Sequence, residues 1–347
     1  MRSSVSLHDL TLTWPDGETV LADVSLDLGV GRHGVVGANG AGKSTLIDLI
    51  AGVLLPTTGS VRVDGRVAHL PQDAAVRPTV AATLGVGATL AALARIEAGS
   101  TDVADFDTVG DDWDVVGRSE AVLGRLGLDH LALDRRVTSL SGGETVLLSL
   151  GARLLTEPDV LLLDEPTNNL DRAARGRLAE VVRSFTGVLV VASHDRELLA
   201  LVDDVVEVRD GGVRRFGGSW DHYVEVLETE RVAAERAVRD ARSDLRAQQR
   251  DRVAAQTAIA RRSRQGRRLG TAGSQPKVLL DHQKNSAEKS AGAIRGRHDA
   301  DVTAARDRLG EAETAVRDDA EIRVDLPDTS VPPARVVLTM FDVRLAH

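Results

Sequence analysis

Three hydrophobic patterns divide the chain. In the first, apolar and polar residues alternate: VSLHDLTLTWP (4–14) and VLADVSLDL (20–28) read as paired, half-buried strands. In the second, short runs are apolar throughout: HGVVG (33–37), VLLLDEP (160–166) and GVLVVAS (187–193). Such runs fit strands of a parallel sheet covered on both faces. In the third, from about residue 219, apolar positions are sparse and regular. Ala234, Val238, Ala241 and Leu245 recur at alternating four- and three-residue steps, as do Val302, Ala305, Leu309, Ala312 and Val316. That spacing predicts a narrow coiled-coil seam in each of two long helices, and hence an antiparallel hairpin.

Between these landmarks, GSVRVDGRVAHLPQ (59–72) reads as two short strands joined at Asp64-Gly65. Residues 79–135 read as Ala/Leu-rich helices, with the acidic TDVADFDTVGDDWD (101–114) as a loop. LSGGE (140–144) opens a further helix, another spans about 171–185, and 204–216 form a strand pair turning at Gly211-Gly212.

Composition narrows the class. Aromatic residues make up 2% and cysteine is absent, so the core is built from Val, Leu and Ala, and disulfides and cysteine metal sites are excluded. No run approaches the ~20 apolar residues of a membrane span, and the N-terminus lacks a signal-peptide pattern, so a soluble, cytoplasmic protein is expected. The net charge of −9 is unevenly spread. Residues 261–297 carry Arg261, Arg262, Arg264, Arg267, Arg268, Lys277, Lys284, Lys289, Arg295 and Arg297 against Asp281 and Glu288, a local charge of +8.

The chemistry centres on GANGAGKST (37–45). Its spacing is that of a phosphate-binding loop, in which Gly37, Ala38, Asn39, Gly40, Ala41, Gly42, Lys43, Ser44 and Thr45 wrap a polyphosphate with backbone N–H groups. Lys43 would meet the β- and γ-phosphates, and the Ser44 hydroxyl a Mg²⁺ ion. Lys43 is the only lysine in the first 276 residues of a chain that otherwise uses arginine. Asp164 ends an apolar strand, where it can hold Mg²⁺ opposite Ser44, and Glu165 follows as the candidate group that orients the attacking water. His194 follows the next apolar strand and would sense the γ-phosphate. In open parallel sheets such strand ends border the ligand crevice.

The ordered set GANGAGKST, Gln72, LSGGE, VLLLDEP, TNNLD and SHD, over residues 1–218, resembles the ATP-binding cassette ATPases. The resemblance implies an α/β fold: a P-loop NTPase cassette with a mixed sheet, flanking helices and a helical subdomain at about 79–156. It implies ATP and Mg²⁺ as ligands, with Trp14 stacked on adenine and Gln72 reaching the metal and the water. It implies that Ser141, Gly142 and Gly143 contact the nucleotide of a second cassette, with Asp171 in the loop crossing that interface. TNNLD (167–171), SHDRELL (193–199) and FGGSWDHYVE (216–225), followed by a charged hairpin, resemble the ABC-F branch. Asn169 stands where histidine is common there, and Val146 and Leu147 replace polar residues usual after the signature.

Three segments are therefore expected: a cassette at 1–218, a linker hairpin at 219–325 with its basic tip at 261–297, and, from ARVVLTMFDVRLAH (334–347), the first strand of a second cassette that is otherwise missing. The branch implies action on the ribosome, with the tip directed at rRNA and tRNA, as a translation factor or in antibiotic resistance. Arginine forks suit phosphates and bases. The second cassette, or a homodimer partner, would complete the ATP site, so this polypeptide alone is expected to bind ATP but hydrolyse it poorly. The competing readings are the nucleotide-binding subunit of a membrane transporter, which predicts no long hairpin, and a non-catalytic coiled-coil adaptor.

Overall fold

The structure is a computed structural model that describes residues 3–73, 76–168, 170–270 and 277–316, with backbone only at 266–270 and 277–288. The strand expected at 334–347 and the central side chains of the basic tip lie outside the described residues. The chain divides into two compact units, Met1–Leu227 and Glu228–His347.

In the first unit, β1 (Ser4–Thr13) pairs antiparallel with β2 (Thr19–Leu28), and both read as alternating strands because Val5, Leu7, Leu10 and Leu12 of β1 turn inward. The chain then enters β3 (Gly31–Val36), the phosphate loop and α1 (Lys43–Ile50). Next come β4 (Thr58–Asp64) and β5 (Val67–Leu70). These two are not a hairpin. β4 pairs antiparallel with β1, giving a three-stranded sheet β2-β1-β4, whereas β5 joins a different sheet. The backbone crosses from one sheet to the other at Gly65, in the left-handed region at φ 121°.

Helices follow: α2 (Val80–Leu84), α3 (Gly87–Glu97), α4 (Val103–Val109), α5 (Val115–Arg125) and α6 (Gly142–Leu154). The acidic stretch expected to be a loop thus contains α4. Its acids serve the helix rather than oppose it. Asp102 caps the N-terminus by accepting from the Ala104 N–H at 3.0 Å, and the nearly buried Asp105 is held by Arg95 and Ser100.

β6 (Val160–Asp164), α7 (Arg172–Ser184), β7 (Val188–Ala192), α8 (Arg196–Leu199), β8 (Asp204–Arg209) and β9 (Gly212–Gly217) complete a six-stranded sheet in the order β5-β6-β7-β3-β8-β9. It is parallel except for β9. The continuous apolar runs divide by parity between two cores. Leu161, Leu163, Leu189 and Val191 face α2, α5, α6 and α7, while Val160, Leu162, Val188 and Val190 face α1 and the antiparallel sheet. Each fully buried Leu or Val stabilises the fold by about 1.5–3 kcal/mol relative to exposure.

The last two helices are α9 (Trp220–Gly270) and α10 (Lys277–Thr314). The first turns of α9 belong to the first unit. In the second unit, Arg242–Glu313, Arg308–Asp244 and Arg252–Asp299 pair at 2.8, 2.6 and 3.0 Å, so the helices run antiparallel. The seam positions are the least exposed in this stretch: Val238, Val302 and Ala305 are buried, flanked by partly buried Ala234, Ala241, Leu245, Leu309 and Ala312. Among the described residues no helix is long and apolar enough to cross a membrane.

Candidate functional site

β6, β7 and β3 are neighbours in register, with Asp164 opposite Ala192 and Ala192 opposite Val35. The residues that follow each strand therefore converge on one edge of the sheet: Glu165 after β6, Ser193 and His194 after β7, and the phosphate loop after β3. A cavity of about 980 Å³ opens there, lined by Asn39, Gly40, Gly42, Lys43, Ser44, Thr45, Gln72, Glu165 and His194, with Trp14 at one side.

Two glycines are required by geometry. A Cβ on Gly37 would lie 2.3 Å from the Val208 carbonyl oxygen. Gly42 caps α1 at φ 103° with no side-chain hydrogen bond, and the first turn of α1 holds no acid. The helix thus starts with unsatisfied N–H groups and no competing negative charge, an arrangement suited to an anion.

Lys43 is nearly buried, and burial lowers its pKa, with Glu165 and Asp164 opposing that shift. Its ammonium donates to the carbonyls of Gly37 and Ala38 at 3.0 and 3.2 Å and to His194 Nε2 at 3.0 Å. The same His194 nitrogen lies 3.3 Å from Glu165 Oε1. That contact is close in distance but not aligned as a hydrogen bond, and Oε1 has no hydrogen-bonding partner among the described residues. Burial raises the Glu165 pKa against the pull of His194 and Lys43, which makes its carboxylate a stronger base than an exposed glutamate. Its backbone sits at φ 44°, pinned by an N–H···O bond to Ala192 at 2.9 Å. A non-glycine residue in this region is a local strain often found at functional positions.

Asp164 lies beneath the lining. Burial raises its pKa, and the Ser44 hydroxyl, by donating to it, opposes the rise. Its Oδ1 is buried without a partner among the described residues. A buried, unpartnered carboxylate oxygen beside a hydroxyl, with Gln72 exposed at the cavity wall, forms a hard-oxygen donor set that fits Mg²⁺. Among the described residues no group of three or more acidic or histidine side chains could hold a metal unaided, so an ion here would share its coordination with the phosphates.

Trp14 is half-buried against the core of the antiparallel sheet, at the turn closed by its N–H bond to Glu18, and still lines the cavity. Ser141, Gly142, Gly143 and Asp171 do not line it. Ser141 caps α6 in a reciprocal box with Glu144, whose pKa is pushed down to about 2 by the Ser141 N–H and hydroxyl, with His130 adding to the effect. Ser141 and Gly142 are exposed. Asp171 caps α7 by accepting from the Ala174 N–H at 2.8 Å. Val146 and Leu147 pack into the helical core, which accounts for apolar residues there.

Sequence reasoning missed several groups. Thr167, Asn168, Arg175 and Asp195 also line the cavity, and Arg175 pairs with Asp195 at 3.3 Å. His69 sits half-buried on β5, 3.8 Å from Asp48, and burial lowers its pKa. Asp195 stood within the quoted SHD. Arg175 and His69 gave no signal, being single residues whose neighbours come from distant segments.

Fold and strand-edge geometry define a P-loop nucleotide-binding domain. A family model described as ABC transporter matches residues 21–168. The tylosin resistance ATP-binding protein TlrC of Streptomyces fradiae is 35% identical over 78% of this chain and 54% of its own length. ABC transporter F family member 4 of Arabidopsis thaliana is 34% identical over 62% and 29%. The biotin transport ATP-binding protein BioM of Rhizobium etli is 34% identical over 52% and 79%. The chain belongs to the ATP-binding cassette family and, within it, to the ABC-F branch. It spans about half the length of TlrC.

Proposed function

We propose that this chain binds and hydrolyses ATP and acts on the ribosome, as a translation factor or in antibiotic resistance. ATP-driven closure of the cassette would be coupled to a basic linker that reaches rRNA and tRNA. The observation that carries the nucleotide reading is the convergence of Lys43, Glu165 and His194 on one cavity edge, above Asp164, whose Oδ1 has no partner among the described residues. Lys43 and the loop N–H groups hold the β- and γ-phosphates, Glu165 takes a proton from water, and His194 stands between them as the γ-phosphate contact. Trp14 offers its ring face to the base. Mg²⁺ held by Ser44 and Asp164, with Gln72, would screen the phosphate charge.

Ser141, Gly142 and Asp171 stand outside the cavity, which supports a composite site closed by the signature of another cassette or of a second copy of this chain. Dilute, monomeric 347-residue protein then turns over ATP slowly. The ribosomal reading draws on the similarity to TlrC, on the pair of long helices α9 and α10, and on the +8 segment between their arms. The transport-subunit reading predicts no such pair of long helices.

Co-sedimentation with ribosomes tests the reading. Glu165→Gln should bind ATP, lose hydrolysis by about a hundredfold or more, and sediment with ribosomes only when ATP is present. Equal sedimentation with and without ATP, or none, contradicts the ribosomal reading.

A further inference from the structure

Beyond the phosphate chemistry, the segment from β9 into α9 holds a buried cluster that the site does not use. The chain has four Phe, three Trp and one Tyr. Phe216, Trp220 and Tyr223 meet here, with Tyr223 edge-on to Phe216 at 4.9 Å and 5.2 Å from Trp220 between ring centroids. Arg214 lies over the Phe216 ring at 4.3 Å. Tyr223 is 6% exposed, and its hydroxyl donates to Glu207 Oε1 at 3.0 Å. Glu207, on β8, is 7% exposed. A core that needed only filling would be served by Leu or Val, as elsewhere in this protein, and burying a carboxylate is costly unless its contacts are kept.

The position of Glu207 supplies a reason. It pairs in register with Val36, the last residue of β3, immediately before Gly37 of the phosphate loop. Its chain neighbour Val208 presents the carbonyl on which Gly37 rests, too close for any Cβ. Residues 207–208 of β8 therefore touch the base of the phosphate loop and, through the Glu207 side chain, the first turns of α9. Trp220, Val226 and Leu227 pack against the same core, and α9 continues unbroken to Gly270.

We propose that Tyr223 and Glu207 are positioning residues that transmit nucleotide occupancy of the phosphate loop to the first turns of α9. The proposal rests on the ATP-binding reading above and identifies where that site hands its state to the long helix. A loop drawn tight around phosphates shifts the β3–β8 backbone, and the Tyr223–Glu207 hydrogen bond carries the shift that ring packing alone would absorb. Communication between two sites is a coupling free energy, which is measured as coupling rather than as folding.

Two measurements on the full chain read it: titration with a fluorescent ATP analogue and Mg²⁺, and amide hydrogen exchange in peptides covering 219–230 with and without ATP. In the unaltered protein, nucleotide should slow exchange there by about tenfold. Tyr223→Phe keeps the ring stack and should bind the analogue with unchanged affinity, yet lose the exchange response. Glu207→Gln keeps an acceptor and should retain the response. Tyr223→Phe protein that binds and responds like the unaltered chain overturns the proposal, as does an unaltered chain that binds nucleotide without any change at 219–230. If the unaltered chain fails to bind the analogue at all, the ATP reading falls first and the coupling with it.

Discussion

The two units use charge in opposite ways. In the first, the ionisable groups of the cavity are buried and incompletely matched: among the described residues Asp164 and Glu165 each keep an oxygen without a partner, and Lys43 gives up part of its basicity to burial. In the second, charges pair at the surface. Arg242, Arg252 and Arg308 reach across to Glu313, Asp299 and Asp244, all substantially exposed, over a seam in which Val238, Val302 and Ala305 are buried. Exposed pairs contribute about 0–1 kcal/mol each, whereas an unpaired buried charge costs several. The cassette thus stores unfavourable electrostatics that a cationic and phosphate-bearing ligand can relieve. In the hairpin the three described cross-helix pairs are exposed, and that pairing is tolerant of change at the surface.

Removing a buried carboxylate should have the largest effect on this contrast. Because burial raises the Asp164 pKa, ionisation opposes folding, and the penalty grows as pH rises above the ordinary value of 3.8. Asp164→Asn should therefore raise the thermal midpoint of ligand-free protein at neutral pH, with the gain shrinking as pH falls toward 3.8. It should also weaken Mg²⁺-dependent nucleotide binding by about tenfold or more. Thermal melts across pH, paired with nucleotide titrations in Mg²⁺, check both signs. A lower midpoint would mean that Asp164 has a stabilising partner in the folded state.

A smaller effect is expected in the hairpin. Ala305 is fully buried in the seam, so Ala305→Glu forces a charge between the helices and should cost about 2–3 kcal/mol of hairpin stability. Circular dichroism should show lost helix, while nucleotide affinity stays unchanged. The smallest effect belongs to Arg308→Ala, which removes an exposed pair and should cost less than about 1 kcal/mol. A larger loss from Arg308→Ala than from Ala305→Glu would reverse the comparison.

Much of the cassette could be read from local sequence. The glycine spacing of 37–45, the apolar runs ending at Asp164 and before His194, and the seam beginning at Ala234 each carry their signal within a few residues. What could not be read is set by distant pairing. Whether β4 pairs with β5 or with β1 depends on Ser4 meeting Asp64, which no periodicity encodes. α4 was hidden because its aspartates resemble loop composition until Asp102 is seen capping it. Arg175 enters the cavity through Asp195, a residue twenty positions away on another element. Ser141 of LSGGE and Asp171 of TNNLD are both occupied in helix caps outside the cavity, so their motif identity alone could not place them relative to the phosphate loop.

Equilibrium titration of the full chain with a fluorescent ATP analogue in Mg²⁺, set beside Lys43→Ala, tests the central claim most directly. The account predicts saturable binding by the unaltered chain that Lys43→Ala weakens by about tenfold to a hundredfold, the worth of a charged hydrogen bond to phosphate. Binding of equal strength in both proteins would contradict it.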